Sequence, residues 1–215
     1  MNTSKLKIAV LISGGGRTLK NFIDLAATGE LPIEIFMIVS SSSKAGGLQI
    51  SAEAGIPALV VDRGGFPAGE AGDEWYGKCI FDACRDSGVE YVVMAGFLKL
   101  APVPEDFANR VVNIHPALLP AFGGHGMYGH RVHQAVLDYG AKITGCTVHF
   151  VDNEYDRGPV IWQQPVPVFP DDTADSLAAR VFLAEKEAYP HVLKLLAAGK
   201  IRVEGRKVSI VGKER

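Results

Sequence analysis

Two polar side chains stand one residue apart where an apolar stretch opens into a proline-bearing loop. The stretch is Val111-Val112-Asn113-Ile114-His115-Pro116, and in an extended segment residues i and i+2 point to the same side. Asn113 and His115 are therefore expected to project together, while Ile114 turns into the core. An amide donor beside an imidazole suits a reaction that builds negative charge on a carbonyl oxygen and moves a proton. A strand end whose Asn caps a turn and whose His is only hydrogen-bonded fits these two residues equally well.

A glycine-rich turn near the N-terminus is the second candidate for chemistry. The apolar run of residues 8–12 ends in Ser13-Gly14-Gly15-Gly16, and a helical pattern follows. A strand, a glycine turn and a helix form a geometry that binds phosphate, because backbone N–H groups can approach an anion that the helix N-terminus attracts. The turn lacks the lysine of a Walker loop and does not match GxGxxG. A purely structural strand-to-helix turn therefore remains an alternative.

The remaining histidines favour structural roles. His149 falls in an expected strand and is predicted to be a satisfied structural histidine rather than a catalytic one. His125, His130 and His133 lie in or beside the glycine-rich residues 123–130. These three lack partnering cysteines, so a solvated, mobile segment is expected there and no metal site is predicted.

Alternating apolar runs and helical patterns must position these candidates. Strands are expected at residues 8–12, 33–39, 58–61, 91–94, 111–115, 144–151 and 160–168, with a hairpin at 201–203 and 208–211. Helices are expected after residue 16 and at 46–54, 74–87, 132–139 and 174–197, with an exposed loop at 63–72 and a kink or restart at Pro190. The alternation predicts an α/β, Rossmann-like fold with a mostly parallel sheet and helices on both faces. Ligands of such sheets bind beyond the carboxyl ends of the strands.

Length and composition limit the classes of partner. The 215 residues suit a single domain spanning 1–215, and the net charge of −2 argues against a nucleic-acid surface. No apolar run reaches the ~20 residues of a membrane span, and the polar N-terminus is not a signal peptide. Cys79, Cys84 and Cys146 form no metal-ligand cluster and suit a reducing compartment. A cytoplasmic protein without nucleic-acid or membrane partners, monomeric or homodimeric, is expected.

At Asn113-Ile114-His115-Pro116-Ala117-Leu118-Leu119-Pro120 the chain resembles the folate-dependent formyltransferases. Further motifs extend the resemblance over nearly the whole chain: AVLISG at residues 9–14, AGF at 95–97, GCTVHFV at 145–151 and DRGPVI at 156–161. The resemblance implies the formyltransferase fold, with no metal. It also implies that 10-formyltetrahydrofolate is the co-substrate and that its formyl group passes to the amine of glycinamide ribonucleotide. A related formyltransferase acting on another amine, or a formyltetrahydrofolate hydrolase, is the alternative.

The resemblance also implies a catalytic trio. Asn113 and protonated His115 would stabilise the oxyanion of a tetrahedral intermediate, and His115 could then help protonate the departing folate nitrogen. Asp156 would orient the histidine or relay the proton of the attacking amine. Without the resemblance, Asp156 indicates no more than an acidic hairpin tip. A non-catalytic nucleotide-binding module would have no need of all three residues.

Binding residues are carried over from the resemblance in the same way. Residues 1–100 would form a phosphate-binding half, in which Gly16, Arg17 and Thr18 hold the substrate phosphate. Residues 101–215 would form the folate-binding and catalytic half, in which Glu185 faces the substrate amine, a solvated helix charge being the alternative. The folate pocket would be lined by Leu98, Lys99, Leu100, Ala101, Asn113, Asp152, Asn153, Glu154, Tyr155 and Asp156.

The chain departs from the family pattern at two of these sites. The usual phosphate turn is Gly-Asn-Gly-Ser-Asn, whereas Gly14-Gly15-Gly16 is followed here by Arg17 and Thr18. The second departure is Arg157, directly after Asp156. Its side chain either lowers the pKa of that carboxyl or points to solvent. The segment 123–130 is also longer than usual.

Overall fold

Strands and helices alternate through most of the chain in the computed structural model, which describes residues 5–212. The strands are β1 (Leu6–Ile12), β2 (Ile33–Ser40), β3 (Ala58–Val60), β4 (Tyr91–Met94), β5 (Val111–His115), β6 (Ile143–Phe150), β7 (Val160–Pro167), β8 (Ile201–Glu204) and β9 (Lys207–Ile210). The helices are α1 (Arg17–Ala27), α2 (Gly47–Glu53), α3 (Glu70–Asp86), α4 (His130–Tyr139) and α5 (Ala174–Ala197). Every strand and helix expected from the sequence is present.

Seven strands form one sheet in the order β3-β2-β1-β4-β5-β6-β7. Strand β2 pairs in parallel with β1 and β3, and β1 pairs in parallel with β4. Strand β7 runs antiparallel to β6 at one edge, and β8 and β9 form a separate antiparallel hairpin. The predicted α/β fold with a mostly parallel sheet is confirmed.

The chain divides into two compact units, and the boundary falls inside β5, between Val112 and Asn113. In the first unit β1 is buried from Ile8 to Ile12, as expected of a parallel strand covered on both faces. In the second unit β6 is buried from Thr144 to Phe150. A parallel strand of continuous apolar residues and a strand carrying Thr and His thus both form core.

Helix α3 begins at Glu70, four residues earlier than predicted, so the expected loop at 63–72 is wrong at its end. Gly72, which the sequence pattern places in the loop, is buried in the helix. A Cβ there would overlap the Pro67 carbonyl oxygen, so the missing side chain lets the preceding turn pack on the helix. Arg63 donates from Nε to Asp73 Oδ1 at 2.7 Å and joins the turn to the helix.

Helix α5 runs unbroken through Pro190, so of the two effects predicted for Pro190 the restart is wrong and the kink stays a prediction. The helix begins with a capping box in which Thr173 and Ser176 exchange hydrogen bonds with each other's backbone. Pro190 and its neighbour Tyr189 are buried. Burial of the apolar side of this long helix outweighs the one backbone hydrogen bond that proline removes. No helix among residues 5–212 is long and apolar enough to cross a membrane.

Candidate active site

Asn113 and His115 occupy the carboxyl end of β5 with the alternation predicted from the sequence. Val111 and Val112 anchor the strand in the core, Ile114 is buried, and Asn113 is half-buried. His115 is only 3% exposed. An imidazole that is almost fully removed from water must find hydrogen-bond partners within the protein.

The loop that follows His115 is held by two polar side chains of the β6–β7 pair. The Thr147 hydroxyl donates to the Ala117 carbonyl at 2.7 Å and accepts from the Leu119 N–H at 3.0 Å. Gln163 donates from Nε2 to the Leu119 carbonyl at 2.8 Å and to the Thr147 hydroxyl at 3.1 Å. The hydroxyl therefore uses its donor and both acceptor positions, which fixes the backbone immediately after His115.

Asp156 lies in the β6–β7 loop with a positive φ of 56° and faces His115. Its Oδ2 is 3.4 Å from His115 Nδ1, and it accepts the Gly124 N–H at 2.9 Å. The other ring nitrogen, His115 Nε2, donates to the Phe122 carbonyl at 2.8 Å. Because a carbonyl oxygen only accepts, Nε2 of His115 carries a proton. A doubly protonated ring would also donate from Nδ1 towards Asp156.

His149 completes the cluster, and the sequence did not indicate its place there. It is 2% exposed, and its Nε2 is 3.2 Å from Asn113 Nδ2 and 3.7 Å from Asp156 Oδ1. The ring is hydrogen-bonded, as expected of a structural histidine, but its partners are the candidate catalytic residues. Burial lowers the pKa of His149 more than the nearby carboxylate of Asp156 raises it. The spacing of Thr147 and His149 on one side of β6 was the available signal.

The glycine turn in the first unit is built almost entirely from backbone. Gly16 adopts the left-handed conformation with φ 77° and precedes α1, which has no side-chain cap. A Cβ on Gly16 would lie 2.6 Å from Gly47 Cα, so only glycine fits. Arg17 is exposed and Thr18 is half-buried in the first turn of α1. Uncapped N–H groups at a helix start are suited to an anion.

Ser13 joins three loops at the carboxyl ends of the strands in this unit. Its hydroxyl accepts the Leu98 N–H at 2.9 Å and lies 2.6 Å from the Ser41 hydroxyl. Leu98, expected in the folate pocket, is 49% exposed after β4. Of its neighbours in that expected segment, Lys99 is exposed, Leu100 is half-buried and Ala101 is buried.

The second segment expected to bind folate lies in the β6–β7 loop. Asp152 is half-buried and accepts the Glu154 N–H at 3.0 Å, while Asn153, Glu154 and Tyr155 are exposed. Arg157 has a side chain 72% exposed and lies 3.9 Å from Glu154, so it points to solvent. Of the two orientations that the sequence left open for Arg157, the structure shows the solvent-facing one.

Glu185 is half-buried on α5 in the second unit. Its negative charge adds to burial in raising the pKa of the Cys146 thiol to about 12. Its contact with a substrate amine, and the alternative of a solvated helix charge, both stay predictions.

The expectation of a solvated segment is wrong for His133, which is buried on α4. Burial, with smaller contributions from His130 and His115, lowers the pKa of His133 to about 4. His130 begins α4 and faces Asp175 at 3.2 Å, and the His125 ring contacts Tyr155 edge-on. Within residues 5–212, no group of three or more His, Cys, Asp or Glu side chains could hold a metal ion.

Comparisons with known proteins agree on one family. Residues 6–193 match the model of the family described as formyl transferase. The chain is 35% identical to phosphoribosylglycinamide formyltransferase of Haemophilus influenzae, over 96% of this chain and 94% of that one. It is 39% identical to the chloroplastic enzyme of that name from Vigna unguiculata, over 91% of this chain but only 62% of the longer relative.

A solved structure extends this likeness to the fold. Glycinamide ribonucleotide transformylase 1 from Symbiobacterium toebii superposes with a TM-score of 0.87 at 35% identity, over 96% of this chain and 94% of that one. Sequence and fold thus agree over almost the full length of two bacterial relatives. The chain therefore belongs to the formyl transferase family, among the phosphoribosylglycinamide formyltransferases.

Proposed function

We propose that the protein transfers the formyl group of 10-formyltetrahydrofolate to the amine of glycinamide ribonucleotide, a reaction of purine biosynthesis. The observation that carries the proposal is the cluster of Asn113, His115 and Asp156, in a chain that matches 94% of phosphoribosylglycinamide formyltransferase of Haemophilus influenzae. An amide can stabilise the oxyanion of acyl transfer to an amine, and an imidazole and a carboxylate can transfer its protons.

In the proposed reaction the substrate amine attacks the formyl carbon and forms a new C–N bond. The formyl oxygen becomes an oxyanion, which the Asn113 amide and the positive charge of protonated His115 stabilise. Asp156, held by the Gly124 N–H, orients His115 and accepts the proton that the amine loses. The bond from the formyl carbon to the folate nitrogen then breaks, His115 helps to protonate that nitrogen, and the proton held by Asp156 restores the imidazolium. Formyl ribonucleotide and tetrahydrofolate are the products.

Binding is proposed to use both kinds of surface described above. The first-turn N–H groups after Gly16, with Arg17 and Thr18, hold the ribonucleotide phosphate, and Glu185 pairs with the charged amine. Leu98 to Ala101 and Asp152 to Asp156 contact the folate through backbone and apolar groups. The proposal is supported by the uncapped start of α1 and by the exposure of Leu98.

A formyl-transfer assay with purified protein tests the proposal. We expect tetrahydrofolate to form from 10-formyltetrahydrofolate only when glycinamide ribonucleotide is added, with formylated ribonucleotide detected by mass spectrometry. Tetrahydrofolate formed without the ribonucleotide would indicate a hydrolase and contradict the proposal. Inactivity in both arms, with folate still bound, would show that another amine is the substrate.

We further propose that the protein works in a reducing compartment, the cytoplasm, as a monomer or homodimer. All three cysteines are unpaired, and burial raises the pKa of the Cys84 and Cys146 thiols to about 12. Thiol titration with and without denaturant should therefore show those two groups only after unfolding. Sedimentation equilibrium would give the oligomeric state.

A further inference from the structure

The hydrogen bonds of His149 assign which of its ring nitrogens carries the proton. Nδ1 lies 2.8 Å from the carbonyl oxygen of Phe150. A carbonyl oxygen only accepts, so Nδ1 must donate. In the neutral ring Nε2 then presents a lone pair, and this nitrogen is the one that faces Asn113.

The same contact assigns the orientation of the Asn113 side chain. Nδ2 of Asn113 lies 3.2 Å from His149 Nε2, and an amide nitrogen only donates. Rotating the amide by half a turn would set its oxygen against the lone pair of Nε2, two acceptors facing each other. The neutral ring therefore selects one of the two amide orientations and leaves the second N–H of Nδ2 available.

We propose that His149 is a positioning residue that orients the Asn113 amide for catalysis, with the Phe150 carbonyl fixing the His149 tautomer. This inference rests on the proposed function, because it concerns the donor that stabilises the oxyanion. His149 itself transfers no proton. If Nε2 were protonated, two donors would face each other and the amide would lose its fixed orientation.

A β-bulge in β7 lies opposite this point of β6. Val148 lies opposite Trp162 but His149 lies opposite Val160, so Ile161 of β7 is left over. Such a bulge re-aims side chains and is frequent next to active sites. The Phe150 N–H pairs with the Pro159 carbonyl at 2.9 Å, so the bulge is closed directly after His149.

The surroundings of the ring keep it neutral. Asp156 and Asp152 raise the pKa of His149, His115 lowers it, and burial lowers it most of all. Loss of hydration disfavours the charged ring by more than the two carboxylates favour it. The acceptor at Nε2 is therefore maintained near neutral pH, where the enzyme must work.

Nitrogen-15 NMR of the histidine rings in the whole, unliganded protein tests the tautomer. The His149 signals are identified by their loss in His149→Gln. We expect the Nδ1–H neutral form at pH 7, whereas free histidine favours the Nε2–H form. An Nε2–H or doubly protonated His149 would overturn the proposal. This measurement needs no turnover, so it stands even if the formyl-transfer assay contradicts the proposed function.

A double-mutant cycle tests the positioning role in the active enzyme. His149→Phe removes the acceptor and should lower kcat about 100-fold with little change in KM. His149→Gln keeps an acceptor oxygen and should retain most of the activity. In an Asn113→Ala background, His149→Phe should cost no more than about threefold further, because the residue it positions is absent.

Additivity would contradict the inference. If His149→Phe lowers kcat about 100-fold in both backgrounds, the ring acts independently of Asn113 and is structural. If the Phe variant does not fold, the comparison is made with His149→Gln, whose residual loss of kcat should likewise vanish in the Asn113→Ala background. A loss that persists there would overturn the proposal.

Discussion

The glycine turn at the start of α1 and the cluster at the end of β5 prepare for ligand in opposite ways. The turn offers backbone N–H groups. Its conformation depends on Gly16, which adopts φ 77° and packs closely on Gly47. The cluster offers buried and half-buried side chains. Asn113 and His149 are hydrogen-bonded to each other, and His115 and Asp156 are hydrogen-bonded to the backbone of Phe122 and Gly124. The glycine turn is defined by backbone atoms and the absence of side chains, whereas the cluster is defined by its polar side-chain atoms.

The difference has a direct consequence for substitution. Under the proposed function, we expect Arg17 and Thr18 to substitute for the small polar pair of the family turn, because backbone N–H groups are unchanged by the side chain. Asn113, His115 and His149 have less freedom, since a side-chain nitrogen of each is hydrogen-bonded to a specific partner. An unpaired group there costs about 1–3 kcal/mol.

The largest effect is expected in the cluster. Asn113→Ala and His115→Ala should each lower kcat by about 10²–10³, because each removes stabilisation of the oxyanion. Steady-state kinetics with both substrates measures this loss. His130→Ala is the matched control. This exposed histidine lies outside the cluster and pairs with the exposed Asp175, so its loss should leave kcat unchanged. Near-normal turnover of either cluster variant would remove that residue from the mechanism.

Substitution of Thr147, which holds the loop after His115, should have a smaller but clear effect. Thr147→Val keeps the shape but removes the hydroxyl shared by Ala117, Leu119 and Gln163. We expect a loss of about 3 kcal/mol in the free energy of unfolding, with reduced kcat, because buried backbone groups lose their partner. Urea unfolding measures the first quantity. Thr147→Ser retains the hydroxyl, so an equal loss there would show that packing, not hydrogen bonding, is responsible.

In the glycine turn the sensitive position is the glycine itself. Gly16→Ala should destabilise the protein by about 2 kcal/mol and raise KM for the ribonucleotide, since an L residue is strained at φ 77° and its Cβ meets Gly47. Gly14→Ala is the matched control, because a Cβ there has open space. Urea unfolding and KM compare the two. Equal behaviour of both variants would contradict the close-approach argument.

The smallest effect is expected from the side chain beside that glycine. Arg17→Ala should raise KM for the ribonucleotide about fivefold at low salt and less at high salt, as expected for an exposed charge acting on a phosphate. The dependence of KM on ionic strength is the measurement. A loss of a hundredfold or more would show that the turn binds through charge rather than backbone.

The sequence predicted most of the fold, and its resemblance to the folate-dependent formyltransferases supplied the members of the proposed catalytic trio. Apolar runs separated by helical patterns predicted the nine strands and five α-helices that the structure describes between residues 5 and 212, because the burial pattern of each element is local in the chain. Alternation along β5 predicted that Asn113 and His115 share one side. Glycine before a helix predicted the turn at residue 16, since few other residues tolerate that conformation.

Only the tertiary structure decided which buried residues act together. His149 is separated from Asn113 by 36 residues in sequence, and their contact depends on the pairing of β6 with β7, whose bulge at Ile161 lies beside His149. Gly72 lies in a helix rather than in the predicted loop, and Pro190 does not restart its helix, because packing outweighs their intrinsic preferences. Proton positions on His115 and His149 follow from the carbonyls of Phe122 and Phe150. Sequence records the type of each residue, but hydrogen-bond direction depends on distances that only the folded chain sets.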